Sequence, residues 1–264
     1  MKIFNLIGIF VIAVLTVVSL NVKAEAVVIT ELVEYTQGGT QLEGYLAYDN
    51  ASDKKRPGIL VIHEWTGINQ NIKQKTEALA KMGYVAFAAD IYGKGIRPAN
   101  NEDAAKQSGI YRTDRALMRA RAKAALETLI KQRFTDKTKM AAIGFCFGGT
   151  TALELARSGA DLRGVVSFHG GLDTPNPKDA SLIKGRILIL HGADDPYVDA
   201  KQIAAFQDEM RSAKVDWEMV YYSGAVHSFT NPFAGNDNSK GAAYNETASQ
   251  RSWLAMQRFF NDIF

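Results

Sequence analysis

The sequence predicts an α/β protein, a single domain built on a mostly parallel central sheet with helices on both faces. Three observations predict it. Short continuous apolar runs such as "GILVI" and "RILIL" read as strands buried on both faces, the habit of a parallel sheet. Segments of helical period separate these runs and supply the crossovers that parallel strands require. The chain has 264 residues, is 47% hydrophobic and shows no internal repeat, linker or low-complexity stretch, so one large domain is the simplest organisation.

Taken in order, the first element is an antiparallel hairpin, two alternating segments of "AVVITELVEYTQGGTQLEGYLAYD" joined at Gly38-Gly39. "KKRPGILVIHE" gives the first buried strand. A helix follows over 69–82, then the strand "GYVAFAAD", helices over 101–110 and 113–132, and the strand "KMAAIGF". The next helix begins just after Cys146. The strand "RGVVSFH", a loop containing Pro175 and Pro177, and the strand "RILILHG" come next. A helix over 200–213, the strand "DWEMVYY", a glycine-bearing loop and a final helix over 241–262 complete the order.

The N-terminus stands apart. Met1-Lys2, the apolar run "IFNLIGIFVIAVLTVVSL" and Val22-Lys23-Ala24 match a secretory signal peptide, 1–24, cleaved after Ala24. That leaves 25–264 as the folded domain, in the periplasm or secreted. The competing reading is an uncleaved membrane anchor, because the run is nearly long enough to span a bilayer. Net charge is +3 with Lys and Arg spread along the chain, so no basic stripe points to nucleic acid. No H-x-x-x-H or C-x-x-C spacing points to a metal. Asn245-Glu246-Thr247 matches a glycosylation sequon, a short and unspecific motif.

Ligands of open α/β sheets gather at the carboxyl ends of the strands, and the unusual polar residues of this chain fall there. Cys146, the one cysteine, lies in "AAIGFCFGGT" and cannot form an internal disulfide. The stretch fits the nucleophile elbow G-x-S-x-G with cysteine in the serine position, a sharp strand-to-helix turn that exposes one side chain. The following helix aims its N-terminus at that side chain and favours a thiolate and a developing oxyanion. A buried structural cysteine is the plain alternative. An elbow nucleophile needs a base and an orienting acid, in the chain order nucleophile, acid, histidine. His227, in the loop after the last strand, satisfies that order. His191 precedes the acids and does not, and His63, His169 and His191 read as packed histidines. Asp194 and Asp195 in "HGADDPYV" are both candidates for the acid. The loop "VIHEWTG" supplies the second oxyanion N–H of such a site, from Trp65 or its neighbour, beside the first from Phe147. Glu64 at the mouth of a buried strand needs a partner to offset its desolvation.

Together "HEWTG", "AADIYG", "GFCFGG", "GADDPYV" and "GAVHSF" resemble the dienelactone hydrolase family, in the family's order and over residues 27–264. The resemblance implies an α/β-hydrolase fold and a Cys-His-Asp triad of Cys146, His227 and Asp195, which selects Asp195 over Asp194. It implies that Glu64 contacts the resting thiol and helps switch it to the thiolate, and that Phe147 and Trp65 give the oxyanion N–H groups. Well-known members bind a substrate carboxylate through two arginines; the matching positions here are Lys94 and Asn231. Lysine keeps the charge but loses the planar fork, and asparagine loses the charge, so an anionic dienelactone fits poorly. The expected activity is cofactor-free, carboxymethylenebutenolidase-like hydrolysis of a small activated ester or lactone. The rivals are a thioesterase or peptidase on the same residues and a non-catalytic binding homologue.

Overall fold

A computed structural model describes residues 27–264; the leader expected over 1–24 lies outside the described residues. Strands β1 (Val28–Gln37) and β2 (Thr40–Asp49) form the hairpin, with Gln37 opposite Thr40. The turn needs Gly38 and Gly39 because both have positive φ, 53° and 78°, which side chains resist. β3 (Arg56–Ile62), β4 (Val85–Ala89), β5 (Thr135–Phe145), β6 (Gly164–Phe168), β7 (Arg186–Gly192) and β8 (Trp217–Tyr222) complete an eight-stranded sheet. Its order is β1-β2-β4-β3-β5-β6-β7-β8. β2 pairs antiparallel with β1 and β4, and every other pair is parallel.

Strand alternation divides the core into two layers. Leu60 and Ile62 of β3 pack with Met118, Ala122, Leu153 and Phe206 on one face, the side of α3 (Arg115–Ile130), α4 (Phe147–Arg157) and α5 (Ala200–Ala213). Ile59 and Val61 face Ile72, Leu79, Met256 and Phe260, which come from α1 (Gln70–Lys81) and α6 (Glu246–Ile263). α2 (Asn101–Thr113) joins α3 directly, and Asp114 closes the first and caps the second. Asn69, Asn100, Asp114, Asp199 and Asn245 each accept an N–H in the first turn of their helix, worth about 1 kcal/mol apiece.

Three boundaries differ from expectation. β5 starts at Thr135 rather than Lys139, because a bulge at Pro57/Gly58 lets Arg56 and Pro57 pair with Thr135 and Asp136. The proline-containing loop folds as a 3₁₀ helix over Pro177–Leu182. The final helix begins at Glu246, not at 241. Gly241 is left-handed (φ 76°) and Asn245 is the N-cap, its side chain also donating to the Gly224 carbonyl. The sequon asparagine is thus a helix cap. Among the described residues no helix is long and apolar enough to cross a membrane.

One charged cluster is fully internal. The Arg157 guanidinium donates to both Glu209 oxygens (2.8 and 2.7 Å), to Glu154 (3.1 Å) and to the Leu172 carbonyl (3.0 Å), tying α4 to α5.

Candidate active site

β5 runs directly into α4 through Cys146, which has φ 54° and ψ −117°. For a non-glycine residue this is strained backbone of the kind that persists only where surrounding structure enforces it. The enforcement is visible. A Cβ on Gly144 would lie 1.9 Å from the Gly148 carbonyl oxygen, and one on Gly148 would lie 2.2 Å from the Ile62 oxygen. Only glycine lets strand and helix close this tightly. The Cys146 N–H is shared between the Phe168 carbonyl (3.0 Å) and His169 Nδ1 (3.1 Å). Cys146 is 7% exposed and free of any disulfide.

Asp195 and His227 arrive from the loops after β7 and β8. Asp195 Oδ2 meets His227 Nδ1 at 2.8 Å, while Oδ1 accepts the Tyr197 N–H at 2.9 Å. Asp194 points to solvent, so the carboxylate that reaches the histidine is that of Asp195. His227 is gripped through its backbone as well: its N–H donates to Gly241 (3.1 Å) and its carbonyl accepts from Ala243 (3.0 Å). Residues 242–245 therefore stay out of helix because they strap the histidine in place. Burial pulls the His227 pKa down, but when Cys146 is the thiolate its charge, with hydrogen bonds to Asp195 and Cys146, outweighs burial and lifts the value to about 10, so the imidazolium is held once the thiol proton has moved to it.

Cys146 and His227 open into one cavity of about 280 Å³, lined also by Trp65, Arg112, Tyr197 and Ser228. As the first residue of α4, Phe147 has no intrahelical acceptor for its N–H. The Trp65 loop is held from below. Its carbonyl accepts the Tyr92 hydroxyl (2.9 Å), and the Tyr92 carbonyl accepts the Tyr111 hydroxyl (3.1 Å). His63 is packed as expected: it is wholly buried, Nδ1 donates to the Glu64 carbonyl (2.6 Å) and Nε2 accepts from Ile91 (3.4 Å). Burial lowers its pKa to about 4, so it stays neutral.

Glu64 is 3% exposed, and its Oε2 accepts from Asn231 Nδ2 at 2.8 Å. Its hydrogen-bond partner is thus Asn231, where the resemblance implies the thiol; Oε1 is buried without a partner. Burial raises the Glu64 pKa, opposed by the charges of Lys75 and His227. Neither arginine-equivalent position faces substrate. Lys94 pairs with Glu34 and Glu43 on the hairpin, and Asn231 is engaged by Glu64. Arg112, at the end of α2, is the cavity's remaining cation besides His227 among the described lining residues, its guanidinium 5.9 Å from the Phe147 ring centre.

Sequence reasoning missed two contributors. His169 is not merely packed, because it holds the nucleophile's N–H and bonds Thr230 Oγ1 at 2.9 Å. Lys75, on α1, donates to the Thr230 carbonyl at 3.0 Å. A histidine ending a buried strand was a signal for the first; nothing local marked the second. Among the described residues no group of three or more His, Cys, Asp or Glu side chains could hold a metal ion.

Known proteins place this geometry in a family. A solved structure named "m3DLH" is 43% identical with TM-score 0.87, covering 90% of this chain and 99% of that one. A dienelactone hydrolase-like promiscuous phosphotriesterase from metagenomic libraries is 43% identical with TM-score 0.86, over 90% of this chain and 99% of its own. A putative carboxymethylenebutenolidase of Aquifex aeolicus is 27% identical over 87% of this chain and 97% of its own. The family model described as "Dienelactone hydrolase family" matches residues 42–264, from the hairpin to the last residue. An α/β-hydrolase sheet carrying a cysteine elbow, matched over this span, makes the chain a carboxylic ester hydrolase that belongs to the dienelactone hydrolase family.

Proposed function

We propose that the protein hydrolyses a small activated ester or lactone through a thioester acyl-enzyme on Cys146. The observation that carries this reading is the 2.8 Å Asp195–His227 contact in the same cavity as an elbow cysteine. His227, held by Asp195 with its proton on Nδ1, takes the thiol proton on Nε2. The thiolate attacks the carbonyl carbon, and the carbonyl π pair moves onto oxygen. The Phe147 and Trp65 N–H groups receive that oxyanion, an interaction worth about 3–4 kcal/mol for one donor in other enzymes. As the intermediate collapses, the C–O bond to the leaving group breaks, and His227 returns its proton to the departing oxygen. Water, deprotonated by His227, then cleaves the thioester to the acid and regenerates the thiol. Good leaving groups, as in enol esters and strained lactones, suit a thiolate attacker; amides do not. A cavity of about 280 Å³ suits a small acyl group better than a peptide or a long lipid. Glu64 acts on the resting state, disfavouring a thiolate until substrate arrives. No cofactor takes part.

The test is a hydrolysis screen of activated esters and lactones with the wild type against Cys146→Ala. Loss of turnover in a folded variant supports the nucleophile; undiminished turnover rejects it. A second reading is phosphotriester hydrolysis, favoured by the activity for which the 43% identical metagenomic relative is named. The same oxyanion donors would then face a phosphoryl oxygen. An aryl phosphotriester in the same screen, turned over by wild type and not by Cys146→Ala, would support it.

A further inference from the structure

Behind the nucleophile lies a second, open groove between α1 and α6, with a volume of about 630 Å³. Lys75 and Asn71 of α1 line it, with Thr230, Trp253 and Leu254 opposite. Lys75 does not turn into solvent. Its ammonium donates to the Thr230 carbonyl (3.0 Å) and sits 4.7 Å from the centre of the Phe145 ring, the residue before the nucleophile. It enters no ion pair among the described residues, and the uncharged α6 wall of the groove offers it no carboxylate.

Glu64 presents the complementary problem. Its carboxylate is buried, one oxygen accepts from the neutral Asn231 amide, and the other has no partner. A buried carboxylate without a cation takes up a proton. Lys94, the cation at the position expected to carry charge toward the site, is spent on Glu34 and Glu43. Thr230, whose carbonyl holds the Lys75 ammonium at 3.0 Å, is followed directly by Asn231, whose amide holds Glu64 at 2.8 Å, so the two charges flank one dipeptide. The charged and titratable groups that act on Glu64 are Lys75 from α1 and His227 from the loop after β8. His227 changes charge with the thiol, and His169 is buried and held neutral. Of these, Lys75 is the cation whose charge does not depend on the state of the thiol.

We infer that Lys75 is a positioning residue whose ammonium, fixed between the Thr230 carbonyl and the Phe145 ring, keeps Glu64 ionised behind the nucleophile. The inference rests on the role given to Glu64 above. It assigns to α1 the counter-charge that neither Asn231 nor Lys94 supplies. Mutual influence agrees with this arrangement. Burial lowers the Lys75 pKa to about 8 while Glu64 raises it, and Lys75 in turn pulls the Glu64 value down.

The experiment follows Glu64 directly. Infrared difference spectra of the whole protein across pH show the carbonyl stretch of a protonated carboxyl, and Glu64→Gln identifies the Glu64 band by its loss. In Lys75→Gln the band should appear at a pH higher by about one unit or more, the effect of removing an opposite charge from beside a carboxylate. Lys75→Arg should restore the wild-type midpoint. In the pH interval between the two midpoints, kcat/KM for an activated ester should fall in Lys75→Gln, and adding Lys75→Gln to Glu64→Gln should cause no further loss. An unchanged Glu64 midpoint in a Lys75→Gln protein with native thermal unfolding overturns the inference, as does the same kinetic loss in the Glu64→Gln background. A shifted midpoint with unaltered turnover upholds the counter-charge and removes Glu64 from the reaction instead.

Discussion

Asp195→Asn isolates the histidine's tautomer from everything else in the site. The carboxylate uses both oxygens, Oδ1 on the Tyr197 N–H at 2.9 Å and Oδ2 on His227 Nδ1 at 2.8 Å. An asparagine must keep its oxygen on Tyr197, because two donors cannot bond. Its NH₂ then takes the Oδ2 place and donates to Nδ1. His227 is forced to carry its proton on Nε2, where it can no longer accept one from Cys146. The equivalent change in a serine triad lowers kcat about 10⁴-fold, or roughly 5.5 kcal/mol at 1.36 kcal/mol per decade. A thiol depends less on its base than a hydroxyl, so we expect a loss of about 10²–10⁴-fold. The fold should notice little, since the replacement is isosteric and both hydrogen bonds persist, a change of about 1 kcal/mol. The assay is kcat for an activated ester at matched folded concentration, with urea unfolding alongside. A wild-type kcat in the folded variant would refute the tautomer argument, and a collapse of stability equal to the activity loss would refute the claim that the effect is chemical.

The remaining predictions concern titration, the core and the leader. Because the charge of Cys146 is the largest influence raising His227, Cys146→Ala should lower the imidazole pKa from about 10, read by NMR titration. A folded value above the ordinary 6.5 means that the stabilisation from His227 is whole below about pH 6.5 and is lost as pH climbs through about 10; denaturation midpoints should follow that slope in the wild type and less so in Cys146→Ala. Arg157→Met leaves Glu209 without its buried partner and Glu154 with Arg119 alone, and should cost about 3–5 kcal/mol in urea unfolding. Protein recovered from an exporting host should begin at Glu25 by intact mass, whereas a full-length chain extracted from membrane would favour an anchor.

The sheet was legible because its signals are local. Buried strands announce themselves as apolar runs, and α5 runs over Ala200–Ala213, the span its pattern predicts. The elbow was legible for the same reason: Gly144, Cys146 and Gly148 are neighbours in the chain. What escaped was created by contacts between distant segments. Residues 241–245 look like the start of α6, yet they pair with the His227 backbone and cannot turn helical until Asn245 caps. His169 reads as core until the Cys146 N–H is found on its ring. Asn231 reads as a lost arginine, and only the fold shows it holding Glu64 across 167 positions of sequence. Lys75 belongs to an ordinary amphipathic helix, and its proximity to the nucleophile depends on how α1 packs against the sheet.

The claim at the centre is a covalent bond between substrate and Cys146. Acid-quenched wild-type enzyme, caught within the first turnover of an activated aryl ester, should gain the mass of one acyl group, and peptide mapping should find that group on Cys146. The thioester should vanish on treatment with hydroxylamine, and the adduct should be absent from Cys146→Ala. Turnover without any acylated enzyme, or an acyl group carried by another side chain in the wild type, would contradict the account.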